Sequence, residues 1–144
     1  MIQLVYVSAS TKPFSNEQLL QLLASSRRNN HRLGVTGMLL YKDGDFMQAL
    51  EGDQDAVHEL SEKIRRDPRH TGIRVLLESA ASEREFPDWS MGFQNLNEVD
   101  PRDIPGYTTF LDSPLRSHVF GADPALCRRL LLLFKKRTAV AQNQ

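Results

Sequence analysis

The stretch from Asn29 to Gly52, NNHRLGVTGMLLYKDGDFMQALEG, constrains the fold more tightly than any other part of the chain. It reads as a loop, a strand, a tight turn and a returning strand, because Asp43-Gly44 between two apolar runs favours the left-handed backbone of a two-residue hairpin. With those two residues as the loop, Leu39 falls opposite Gln48 and Tyr41 opposite Phe46. Side chains two apart share a face of a strand, so Phe46, Gln48 and Leu50 join Leu39 and Tyr41 on one surface. Gln48 is then a primary amide in an apolar row, and its donors and acceptor require partners.

The flanking elements follow from periodicity and caps. Ile2 to Ser8 is β-branched and apolar, with Leu4 and Tyr6 on one face of a first strand, and Thr11-Lys12-Pro13 ends it. Ser15 with Gln18 forms a capping box, and Phe14 can staple against Leu19. Leu19, Leu22, Leu23 and Ser26 share a helical face, and Asn29-Asn30 predicts the end of that helix. Asp53 is the expected cap of a second helix that buries Val57, Leu60 and Ile64, with Pro68 marking its end. Ile73 to Leu77 reads as a fourth strand and Trp89 to Phe93, after Phe86-Pro87, as a fifth. The fold class is α+β: a ferredoxin-like β-α-β-β-α-β sandwich with an added fifth strand.

Two helices cover one face of such a sheet and leave the other bare. The segment from Asn97 to Pro114, with prolines at 101, 105 and 114, reads as an irregular connector. Asp123-Pro124 caps a last helix whose Leu126, Leu130, Leu133 and Phe134 form a stripe. Residues 1–95 are thus expected to form one domain and 96–144 a C-terminal helical extension packed on the opposite sheet face. Its surplus Leu131 and Leu132 point to a subunit contact and a homo-oligomer.

Composition narrows the class. Lys plus Arg (18) balance Asp plus Glu (18), so no overall field favours nucleic acid or an anionic membrane. The acid-free end after Asp123, with Arg128, Arg129, Lys135, Lys136 and Arg137, reads as a solvated helix face. Cys127 is the single cysteine, which excludes an intrachain disulfide and implies a reducing compartment. The N-terminus lacks a signal-peptide pattern, and the apolar block Leu130–Phe134 is too short to cross a bilayer, so a cytoplasmic protein is expected. His31, His58, His70 and His118 lack metal-ligand spacing, and no metal site is expected. No Ser/His/Asp or Cys/His motif appears, so the reading is not an enzyme.

Taken singly, a strand tyrosine or glutamine is ordinarily structural. Tyr6, Gln48 and Asn30 together offer two amides and a phenol, a set able to read the carbonyls and ring N–H of a flat heterocycle, with Leu22 and Ile64 as apolar walls. Arg27, Arg28, Lys63, Arg65, Arg69 and His70 cluster near the ends of the two helices. They either complement the helix dipoles or receive a ribityl or phosphate tail. Trp89 and Met91 read as core residues, although an indole beside a light-absorbing ring can sense its state.

Tyr6 in LVYVS, the segment SSRRNN, the run LGVTGMLLY, FMQALEG with Gln48, RRDPRH and FPDWSM together resemble the BLUF family, the blue-light sensors that use flavin. The resemblance covers roughly residues 1 to 95, and the remaining tail is similar in length to that of short stand-alone members. It implies a flavin, usually FAD, with FMN or riboflavin as smaller alternatives, held noncovalently between the helices. It further implies Tyr6 and Gln48 as the photoactive pair, Asn30 on the N3/O4 side of the ring, Asn29 near O2, and Leu22 and Ile64 on its faces. Lys63, Asp67, Arg69 and His70 match positions near the ribityl and phosphate region, and Trp89 and Met91 match the strand that relays the signal. Output would then run through a downstream protein partner or a change of assembly, with no membrane and no direct nucleic-acid binding. Other readings of the same topology are an RNA-binding module, which needs exposed aromatics on the bare sheet face, a small acylphosphatase-like hydrolase, which needs an anion-binding loop after the first strand, and a scaffold without flavin.

Overall fold

A computed structural model of the chain describes residues 1–87, 91–98, 115, 129, 131 and 132. Five strands and two helices follow in the order β1 (Ile2–Ser10), α1 (Asn16–Leu33), β2 (Thr36–Lys42), β3 (Asp45–Gly52), α2 (Gln54–Arg65), β4 (His70–Ala80) and β5 (Gly92–Asn95). A single 3-10 turn, Leu96–Glu98, follows β5. The sheet order is β4-β1-β3-β2-β5, antiparallel except for β2 beside β5. This is the ferredoxin-like sandwich with an extra edge strand.

The hairpin sets the register. Asp43 (φ 50°) and Gly44 (φ 84°) both adopt positive φ, as a two-residue loop with primed geometry requires. Leu39 consequently pairs with Gln48 and Tyr41 with Phe46, as the sequence predicts. Alternation then divides the interior into two layers. Leu4, Tyr6, Leu39, Tyr41, Phe46 and Leu50 pack with Leu19 and Leu23 of α1 and Val57 and Leu60 of α2. Val5, Val7, Met38, Leu40, Met47 and Ala49 form a separate cluster on the far face, closed by Phe86, Leu115 and Leu131. Tail residues thus cover the face that an RNA-binding sheet would leave open. The remainder of the connector and tail helix, with Cys127, lies outside the described residues.

Leu131, expected as a surplus leucine at a subunit contact, is instead buried in the far-face cluster with Leu132 packed against it, and four further expectations are corrected. Helix α1 does not end at Asn29-Asn30 but runs to Leu33, where Gly34 (φ 68°) supplies the left-handed stop. Asn30 is tolerated within the helix because it is buried against the sheet. Asp53 occupies the cap position of α2 without making a side-chain cap bond. Strand β4 is longer than Ile73–Leu77, since all its length pairs with β1 through two register shifts. Strand β5 begins at Gly92, just after Met91, and not at Trp89; Trp89 itself lies outside the described residues. The capping box of Ser15 and Gln18 is present in both directions.

At the open end of the β2–β3 hairpin, Glu51 is a fully buried carboxylate on the far-face side of β3. Its Oε2 accepts from Gln3 Nε2 (3.0 Å) and the Glu85 backbone N–H (2.7 Å), and its Oε1 accepts from the Phe86 N–H (2.9 Å). Burial pushes this carboxyl up, while the Phe86 N–H, the Gln3 amide, the Thr36 hydroxyl and the Arg84 charge oppose the shift.

The tightest backbone approach is at Gly37, where an added Cβ would lie 2.0 Å from the carbonyl oxygen of Ala49. Gly37→Ala must therefore push β2 from β3, and we expect it to cost about 3 kcal/mol or more by overpacking. Chemical denaturation of the variant against wild type checks this.

Candidate functional site

The site lies between α1 and α2, over the middle of the sheet. Tyr6 in β1 and Gln48 in β3, the middle strand, are direct cross-strand partners, so backbone pairing fixes where both side chains start. The Tyr6 hydroxyl donates to Gln48 Oε1. Gln48 Nε2 donates to Met91 Sδ at 3.3 Å. A primary amide carries two N–H bonds, and among the described residues this nitrogen has one acceptor, so the other N–H remains for a ligand in the cavity that Gln48 lines.

Every flavin-contact candidate chosen from the sequence lines this one cavity. Tyr6 and Gln48 form its floor; Leu22, Asn29 and Asn30 come from α1; Lys63 and Ile64 come from α2; Asp67, Arg69 and His70 follow α2. The α1 set extends to Ser25 and Ser26, which sequence reasoning missed although they fall on the Leu22–Asn29 face at helical spacing. Phe14, Leu39, Phe46 and Leu60 complete the apolar lining. Phe46 shares strand parity with Gln48, the signal that locates it. Phe14 packs edge-on to Phe46 with centroids 5.3 Å apart, and its backbone N–H donates to the Tyr41 hydroxyl at 3.2 Å.

The cations divide. Arg69 clasps Asp67 through Nε (3.0 Å) and Nη2 (2.6 Å). Those hydrogen bonds hold the Asp67 carboxyl below its ordinary range and the guanidinium above its own. His70 Nε2 donates to the Ile64 carbonyl at 2.7 Å, since a carbonyl only accepts, and Nδ1 meets Ser8 Oγ at 3.0 Å. Arg27, Arg28 and Arg65 do not line the cavity. Arg27 Nε instead donates to the Met91 carbonyl at 3.0 Å, and Arg65 pairs with Glu62 at 3.8 Å.

The donor set fits a flavin. Two buried amides and a phenol face an apolar slot between Leu22 and Ile64, and Lys63, Arg69 and His70 stand to one side for a polar or anionic tail. Among the described residues no group of three His, Cys, Asp or Glu side chains could hold a metal, and no helix is long and apolar enough to cross a membrane.

Burial pushes the Tyr6 phenol well above its ordinary value of 10, and the negative charge of Asp67 adds to the shift. The folded value is raised, so this contribution to stability is complete below pH 10 and is lost as pH rises beyond it toward the folded value. Just above pH 10 the ultraviolet phenolate absorbance of folded wild type should equal that of Tyr6→Phe, the difference emerging only on unfolding. A Tyr6 phenolate in the folded protein at that pH would contradict the burial assigned to it.

A family model described as BLUF, sensors of blue-light using FAD, matches residues 1–92. The photoactivated adenylate cyclase subunit beta of Euglena longa is 40% identical over 89 residues, covering 61% of this chain and 10% of that protein. Its Euglena gracilis counterpart is 38% identical over 89 residues, with the same coverage of 61% and 10%. The chain thus spans about a tenth of the length of these curated relatives. Among solved structures, a bacterial light-regulated adenylyl cyclase superposes with TM-score 0.74 at 34% identity, over 89% of this chain and 36% of that one. The ground state of BlsA superposes with TM-score 0.70 at 31% identity, over 91% of this chain and 87% of that one. The match of residues 1–92, the fold and the polar pair beneath the inter-helix cavity agree, and the chain belongs to the BLUF family of blue-light sensors using FAD.

Proposed function

We propose that this protein is a blue-light photoreceptor that holds FAD noncovalently between α1 and α2 and switches through Tyr6 and Gln48. The observation that carries the proposal is the Tyr6–Gln48 hydrogen bond at the floor of the cavity, with one Gln48 N–H still to be satisfied there. In this reading Asn30 and Asn29 bind the polar edge of the ring and Leu22 and Ile64 cover its faces. Lys63, Asp67, Arg69 and His70 hold the ribityl and phosphate tail.

When bound, the flavin supplies blue-light absorption and an excited state that accepts an electron. Tyr6 is the donor: its phenol is protonated at neutral pH, and loss of an electron makes it strongly acidic. Gln48 Oε1 already accepts that hydrogen bond, so it is the group to which the proton moves. The Gln48 amide then turns and hands the proton back, or tautomerises by keeping it on Oε1 and releasing one from Nε2; as the electron returns Tyr6 regains a proton, and the two ends of the side chain keep exchanged partners. A hydrogen bond redirected toward the cavity is withdrawn from Met91, which gives the switch a mechanical consequence. Trp89 and Met91 carry it onward in this reading.

Residues 1–95 form the flavin unit of this proposal and 96–144 a helical extension. Burial of Leu115 and Leu131 against the far sheet face supports that division. Output passes to a partner protein or to a change in a homo-oligomer, in the cytoplasm. The photoactivated cyclase subunits are the precedent for a sensor of this family serving an effector.

The purified protein should be yellow and should show a small, reversible red shift of its flavin bands under blue light. Chromatography of the released cofactor identifies FAD; FMN or riboflavin alone would correct the cofactor. A colourless protein after expression with ample flavin, or a flavin spectrum indifferent to light, overturns the reading. Gln48→Leu offers no hydrogen bonds and should retain flavin while losing the shift. Tyr6→Phe should do the same, and normal photocycling by either variant would reassign the pair.

A further inference from the structure

The buried carboxylate of Glu51 plays no part in holding flavin, yet it is fully enclosed and makes three hydrogen bonds of 3.0 Å or less. Burying a charge is costly unless its partners are strong, and two of these are backbone N–H groups of one short segment, Glu85 and Phe86. Arg84 reinforces the same point from outside. Its guanidinium donates to the Gly34 carbonyl (2.8 Å), the Glu51 carbonyl (3.0 Å) and the Thr36 hydroxyl (2.9 Å). The start of the β4–β5 connection is therefore fastened to the end of α1 and to the β2–β3 pair.

Five residues after Phe86 stands Met91, whose sulfur accepts from Gln48 and whose carbonyl accepts from Arg27. Phe86 belongs to the far-face cluster and Met91 to the helix-side cluster. The two fastened residues thus belong to opposite sides of the sheet, and five residues span at most about 17 Å. Met91 also sits where Gly37 lacks a side chain: a Cβ there would lie 3.4 Å from Met91 Cε. Arg27 holds its carbonyl, and Glu51 holds Phe86, five residues before it.

We propose that Glu51 is a positioning residue of the photocycle, which, together with Arg27, keeps Met91 in place beside Gln48 and so sets how fast the light state returns to the dark state. The inference rests on the light-sensing reading of Tyr6 and Gln48. In the arrangement the structure shows, taken as the dark one, Gln48 donates to Met91 Sδ. After the amide turns, the sulfur loses that donor. A fastened Met91 stays at its post as a waiting acceptor, and return is quick. With either fastening loosened, Met91 moves off, and return requires it to dock again.

The test uses flavin-loaded full chain. Glu51→Gln keeps the shape but sets an amide NH2 against N–H donors, and Arg27→Ala removes the second fastening from an exposed helix position without touching the core. Each should retain the light-induced red shift and slow dark recovery by at least about fivefold, equivalent to about 1 kcal/mol in the barrier. In a Met91→Ala background neither change should alter recovery further, a result that simple loss of stability would not produce. His58→Ala, which breaks the His58–Glu78 pair between α2 and β4, should recover at the wild-type rate. If Glu51→Gln fails to fold, Arg27→Ala decides. Recovery of Arg27→Ala within twofold of wild type, or undiminished effects without Met91, overturns the proposal while leaving the photoreceptor reading intact. A wild type that binds flavin without any reversible shift removes the photoreceptor reading itself.

Discussion

The structure turns on one cross-strand pair. Tyr6 and Gln48 sit opposite each other on adjacent inner strands, so neither residue can leave its place without unpicking the β1–β3 ladder, although their side chains can still turn. A phenol and an amide buried together must satisfy each other or meet a ligand. Here they do the first in part, and the cavity above them provides for the rest. The helices, the apolar walls and the cationic side of the cavity are arranged around that requirement.

Polar groups in this protein fall into two kinds that differ in how firmly they are held. Glu51 is over-determined: backbone N–H groups, an amide and a guanidinium-bearing neighbour all converge on it or beside it. Gln48 is under-determined, since a primary amide can exchange its oxygen and nitrogen ends and still find partners on both sides. A switch requires that contrast. A soft amide in a soft frame would relax locally, whereas one in a stiff frame passes its change to the next packed group, which here is Met91.

How far the sequence alone could reach follows from the range of the interactions involved. The hairpin register was legible because Asp43-Gly44 and strand alternation are local rules, and from it followed the placement of Gln48 among apolar residues. The cavity set was legible mainly through the family resemblance, although Ser25, Ser26 and Phe46 could have been added from helical spacing and strand parity. The end of α1 was misjudged because asparagine favours helix ends in isolation, while burial of Asn30 against the sheet overrides that preference. Glu51 passed unnoticed because two of its partners are backbone groups more than thirty residues away, which leave no side-chain signature, and strand pairing alone brings Gln3 to it. The start of β5 was misplaced for a related reason: its parallel pairing with β2 begins at Gly92 and depends on contacts no local pattern encodes.

Strict alternation along β3 also determines which kinds of mutation this protein can survive. Met47 and Ala49 face the far-side cluster, and Phe46, Gln48 and Leu50 face the helices. Deleting or inserting one residue between the turn and Gln48 would invert both sets, sending a thioether into the cavity and an amide into a dry aliphatic layer. Divergent descendants of this chain can therefore exchange side chains along the strand, but a change in the length of the strand or its turn forfeits the core and the sensor together.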